Sequence, residues 1–136
     1  QFAGVVVAEH FEAERLGAVR GIELGQKVIP EMKKRGIRVL PGGDYGFPYN
    51  PHGRNARDLE HFVKLFGFSP VEALVAATKQ GGELVEWDVG QVRAGYLADL
   101  LLVEGDPTAD VRTLQDRKNL AAIMTGGHFH KAPTRH

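Results

Sequence analysis

The chain has 136 residues, and its 17 Lys and Arg are balanced by 17 Asp and Glu. The resulting zero formal charge argues against a protein that grips a phosphate backbone, which would show a basic excess. At 43% hydrophobic and 25% charged the composition is that of an ordinary folded protein, and the length suits one domain or two small ones but not a complete eight-stranded β/α barrel, which needs roughly 200 residues or more. With no cysteine, disulfides, thiolate zinc sites and Cys nucleophiles are all excluded. No apolar run approaches the roughly 20 residues of a bilayer-spanning helix. Neither nucleic acid nor membrane is therefore expected as a partner. No targeting signal is legible, which leaves the compartment open with the cytoplasm as default.

In chain order, the apolar stretch Phe2 to Ala8 reads as a buried strand end or a packed loop. From Glu12 to Arg35 the apolar residues Leu16, Val19, Leu24, Val28, Ile29 and Met32 recur at mostly three- and four-residue steps, which predicts a helix. Pro30 should kink it or start a new one. Lys33, Lys34 and Arg35 before Gly36 predict its end, with cations at the negative pole and glycine in the left-handed cap. Ile37–Pro41 follows as a short strand and Gly42–Gly46 as a loop, an α/β unit. That loop continues to Asn55, and Arg57–Phe66 is predicted as an amphipathic helix ended by Gly67, with Asn55 as a candidate cap. Ser69-Pro70-Val71-Glu72 carries a capping box with proline at the first helical position, opening a helix to about Glu86. After Trp87 the pattern turns to short strands at Val89–Val92, Asp99–Glu104, Leu120–Thr125 and Gly127–Lys131, with a helical turn within Asp110–Asp116.

Asp44 lies between glycines at the carboxyl end of the predicted strand, where α/β folds place reactive groups and where glycines permit close approach. An ordinary turn aspartate has the same local pattern. His52, in Pro51-His52-Gly53-Arg54-Asn55, is a ligand, proton shuttle or substrate donor in one reading and an exposed loop histidine in the other. His128 and His130 have the i, i+2 spacing of a metal pair on one strand face, but no third ligand is near, and they read as surface residues. His10, His61 and His136 belong to no constellation. His61, on the predicted helix, reads as solvated.

Taken in order, Gly36-Ile37-Arg38-Val39-Leu40-Pro41-Gly42-Gly43-Asp44, Pro51–Asn55, Ser69–Thr78, Val92–Leu100, Glu104-Gly105-Asp106-Pro107 and Thr125-Gly126-Gly127 resemble the last barrel unit and following segment of metal-dependent amidohydrolases of the imidazolonepropionase-like and prolidase-like branch. The resemblance covers roughly residues 36 to 131. It implies an α/β fold comprising the C-terminal part of a (β/α)8 TIM-like barrel over residues 1–87 and part of a small β-sandwich over 88–136. It further implies a hydrolase that cleaves a C–N bond, of an amide, cyclic amide or dipeptide-like substrate, with water activated by one or two divalent metal ions, zinc by expectation. In such enzymes the strand-eight aspartate contacts the metal-bound water or a metal and carries the proton to the leaving amine, and Asp44 takes that position as catalytic and metal residue. Tyr45 and His52 take substrate-side positions by loop placement. Gly43 departs from the family, which usually has Thr or Ser before the aspartate, and the Asn that often follows the Ala-Thr pair is replaced around Lys79-Gln80.

The remaining metal ligands of such a site, on earlier barrel strands, find no counterpart here, so most of the barrel is expected upstream of Gln1. The isolated chain is then expected to hold metal weakly or not at all, to turn over nothing, and to associate with copies of itself or with the missing N-terminal part. Other readings are a barrel remnant serving as a non-catalytic interaction module and a relative that hydrolyses an ester or C–Cl bond.

Overall fold

The structure, a computed structural model, describes residues 3–46 and 50–134, with side chains from Gly17 onward. Helix α1 spans Ala3–Lys34. The predicted strand or loop at its start is therefore helix from Ala3, whereas Phe2 lies outside the described residues. The helix also passes through Pro30 without ending, although proline removes one backbone donor. Its end follows the prediction. Gly36 is left-handed at φ 73°, its N–H donates to the Lys33 carbonyl, and the Ile37 N–H reaches back to Met32 at 3.0 Å.

Helix α2 spans Arg57–Phe66 and is closed by left-handed Gly67, whose N–H and that of Phe68 both donate to the Phe62 carbonyl. Its N-cap is Ala56 with no side-chain cap. The Asn55 side chain instead accepts from the Gly53 N–H, so the expected Asn55 cap is not made. Helix α3, Pro70–Ala77, starts with the complete capping box: Ser69 accepts from the Glu72 N–H at 3.2 Å and Glu72 accepts from the Ser69 N–H at 2.8 Å. The predicted single helix to Glu86 is broken at Thr78, and Lys79–Val85 forms a separate helix α4. The break has a tertiary cause. The backbone at Val89 and Gly90 runs so close to this corner that a Cβ on Gly90 would stand 2.2 Å from the Thr78 carbonyl oxygen, and one on Gly82 would stand 2.5 Å from that of Val89.

Lys33 draws the end of α1 onto the start of α3: its Nζ lies 2.6 Å from Glu72, donates to the Gly67 carbonyl at 3.1 Å and sits 4.8 Å above the Phe68 ring. Phe62 meets Phe66 edge-on at 5.9 Å and Phe68 at 4.8 Å. With Leu59, Ala73, Ala76 and Val111 it forms the core, against which Val39, Leu40 and Leu114 lie partly buried. Val111 belongs to a 3-10 turn, Val111–Gln115, within the predicted helical turn. One core therefore joins the helical half to the second half.

The second half is a three-stranded antiparallel sheet in the order β1-β2-β3, made of Leu100–Val103, Leu120–Thr125 and His128–Lys131. Leu101 pairs with Ile123 and Thr125 with His128, across a turn in which Gly126 and Gly127 have φ 56° and 82°. The Gly126 N–H donates to Asp99 at 2.7 Å, which ties the turn to the start of β1. The predicted strand Val89–Val92 does not form. Neither does Ile37–Pro41, which is irregular: a strand exists only through a ladder with a neighbour, and no strand pairs with it among the described residues. The chain is thus α/β, and over the residues expected to form part of a sandwich the described residues contain one three-stranded sheet. Much apolar surface stays exposed, including Val19, Ile22 and Leu24 on α1 and Leu100, Leu101 and Leu102 on the edge strand β1.

Candidate functional site

The loop after α1 carries the three sequence-predicted residues Asp44, Tyr45 and His52. Asp44 is exposed at φ 48°, one of two non-glycine residues in the left-handed region among those described. Aspartate tolerates this conformation better than most residues, and such outliers concentrate at functional positions. Before Asp44, the Gly43 carbonyl accepts from the Asn50 side-chain amide, and after it the Gly46 N–H donates to the Asn50 carbonyl at 2.9 Å. His52 is exposed and its ring covers Gly46: Nε2 lies 3.1 Å from where a Cβ of residue 46 would be, and φ there is 122°.

Tyr45 turns the other way, onto α2. Its hydroxyl donates to Asp58 Oδ1 at 2.7 Å and lies 3.3 Å from the Arg54 carbonyl oxygen. Burial first, then the hydrogen bond and negative charge of Asp58, push the Tyr45 phenol up to about 12. At neutral pH it is a protonated donor committed to Asp58. The same packing accounts for Gly43: a Cβ there would stand 2.5 Å from Tyr45 Cε2 and 2.8 Å from Asp58 Oδ2. The space that a side chain at residue 43 would need is filled by the tyrosine ring and the Asp58 carboxylate. Asp58 was not among the sequence candidates. The only sequence signal for it is an acidic residue in the first turn of α2, which is also what a helix dipole favours.

Among the described residues no three His, Cys, Asp or Glu side chains gather as a metal-binding group. Asp44 is a suitable oxygen donor for a divalent cation, but one carboxylate is one ligand, so these residues by themselves do not fit a catalytic metal. His128 and His130 are exposed on β3. His61 is partly buried on α2 rather than fully solvated. His10 and His136 lie outside the described side chains. A cavity of about 960 Å³ opens between the helices and the sheet; Leu59, Leu74, Leu101, Val103 and Leu114 line it, and Asp44, Tyr45 and His52 do not. It is the mainly apolar seam between the two halves, with Arg54 at its edge next to the loop.

Comparison with known proteins gives a consistent picture. Residues 7–129 match the model of the amidohydrolase family. Ochratoxinase of Aspergillus niger is 32% identical over 103 residues, which are 74% of this chain and 21% of that protein. The chain thus spans about a fifth of the curated relatives it matches. The crystal structure of the same fungal enzyme superposes with a TM-score of 0.71 at 31% identity, over 79% of this chain and 25% of that one. A putative prolidase from Bifidobacterium longum gives 0.69 at 31% identity, over 79% and 27%. A Xaa-Pro dipeptidase at 24% identity, with a TM-score of 0.67 over 79% and 25%, shares the fold.

Proposed function

The chain belongs to the amidohydrolase family, and from that premise we propose that it is the C-terminal part of a hydrolase that cleaves a C–N bond in an amide, cyclic amide or dipeptide-like substrate, with Asp44 as its proton carrier. The observation that carries this reading is the family match across residues 7–129, which contains a loop that holds an exposed aspartate in a left-handed conformation between two glycines. The name of a relative at 31% identity, a putative prolidase, favours the dipeptide-like class.

In this reading Asp44 accepts a proton from the attacking water as the C–O bond forms. It returns the proton to the leaving nitrogen as the C–N bond breaks. His52, beside the same loop, is a substrate-side donor. Tyr45 reaches Asp58 rather than open solvent, and its contribution is to the loop more than to the substrate. A divalent metal, zinc by proposal, would belong to the whole polypeptide with its other ligands outside these residues, and no step of the chemistry above passes through it.

The test is the native polypeptide containing this chain, assayed on Xaa-Pro dipeptides, other amides and matched esters. Asp44→Asn is expected to lower kcat on the amide-type substrates by about 10²–10⁴-fold, the usual size of a general acid–base contribution. Activity retained within about tenfold would remove Asp44 from the chemistry. Hydrolysis confined to esters would reassign the bond, and absence of hydrolysis on the whole panel would favour the interaction module. The 136-residue chain alone is expected to turn over nothing, and amidase activity with stoichiometric zinc in that chain would overturn the reading.

A further inference from the structure

Asp44 is held from both sides. Asn50 fixes Gly43 and Gly46 through two hydrogen bonds, and Tyr45 is fixed by its hydroxyl to the first turn of α2. The second tie is built to close tolerance, because the Tyr45 ring and the Asp58 carboxylate together occupy the space a side chain at residue 43 would need. Aspartate tolerates φ 48° better than most residues with a Cβ but still favours negative φ, so contacts that hold the loop help to keep Asp44 there. Relaxation would swing the carboxylate, and misplacement of a reacting group by an ångström is enough to slow a reaction substantially. Helix α2 is a rigid base for such a tie, because Leu59 and Phe62 anchor it in the core.

We propose that Asp58 is the positioning residue of this site: by accepting the Tyr45 hydroxyl hydrogen bond it fastens residues 43–46 to α2 and keeps Asp44 in its left-handed conformation. Asp58 makes no contact with substrate in this role. The proposal rests on the reading of Asp44 as proton carrier, and the experiment separates the two.

In the native polypeptide, Tyr45→Phe, Asp58→Ala and Asp58→Asn are compared by kcat, KM and backbone amide hydrogen exchange. Tyr45→Phe and Asp58→Ala are expected to lower kcat about tenfold with KM within about twofold, the scale of one lost hydrogen bond. They should also raise exchange of the Gly46 amide, which donates to the Asn50 carbonyl, about tenfold while leaving Ala73 and Ala76 in the core unchanged. Asp58→Asn keeps an acceptor oxygen and should stay within about threefold of the parent. Gly43→Ala, which drives the Tyr45 ring off Asp58, should reproduce Tyr45→Phe. Should Asp58→Ala fail to fold, the isosteric Tyr45→Phe carries the test alone. Unchanged exchange at Gly46, exchange that rises throughout the chain, or an Asp58→Asn defect as large as that of Asp58→Ala would each overturn the proposal. If Asp44→Asn proves harmless, the catalytic reading fails, and the exchange measurement still decides whether Asp58 holds the loop.

Discussion

Replacing Gly90 by alanine separates the cost of a backbone conformation from that of a close approach, because Gly95 supplies the control. Both are left-handed, at φ 76° and 88°. An added Cβ at Gly95 meets nothing within 4 Å, whereas at Gly90 it would lie 2.2 Å from the Thr78 oxygen, 2.6 Å from the Thr78 carbonyl carbon and 3.2 Å from the Lys79 nitrogen. The left-handed penalty, about 1–2 kcal/mol, is common to the two, as is the small gain from a stiffer unfolded chain. The overlap at Gly90 falls on backbone atoms, which no rotamer change relieves, and adds about 1–3 kcal/mol. Gly90→Ala should therefore be less stable than Gly95→Ala by about 2 kcal/mol. With a urea slope of about 2 kcal/mol/M, its midpoint in far-ultraviolet circular dichroism should fall about 1 M lower. Midpoints equal within about 0.2 M would show that the corner between α3 and α4 is not set by this approach.

The capping box should be acid-sensitive. Lys33 first, then the Ser69 N–H, hold the Glu72 carboxyl down to about 2 from an ordinary 4.5, so its contribution is present above about pH 4.5 and is lost as pH falls toward 2. Glu72→Gln should flatten that limb of the stability profile; because the pair is partly exposed the effect is below about 1 kcal/mol, and a profile identical to the parent's would refute it. Phe62→Ala removes the ring that joins Phe66 and Phe68 in the core and should cost about 3–5 kcal/mol. Against a usual total of about 5–15 kcal/mol that should lower the thermal midpoint steeply, and a drop of only a few degrees would show that the aromatic cluster is not the anchor.

What was legible in the sequence was local. The capping box at Ser69 and the glycine cap at Gly36 involve residues within a few positions of each other, so pattern and outcome coincide. Strand β2 matched its prediction residue for residue because its partners lie in the described chain. The failures are non-local. Ile37–Pro41 has strand-like residues but no ladder; the helix from Pro70 is interrupted by backbone that arrives from Val89 and Gly90; and Asn55 turns back to Gly53 instead of capping α2. For the site, the Asp44 loop could be read from its glycines and the family pattern. The reason for Gly43 could not, because the tyrosine ring and Asp58 meet there only after α2 has docked.

Val111 fills a place in the helical core that is otherwise built from residues 59 to 76. During synthesis α2 and α3 leave the ribosome about 35 residues before the side chain that completes their core. At about 5–20 residues per second the apolar seat between them stays uncovered for a few seconds. The time in which a nascent chain is exposed to chaperones, or to a neighbouring nascent chain, is therefore set by one valine far along the sequence.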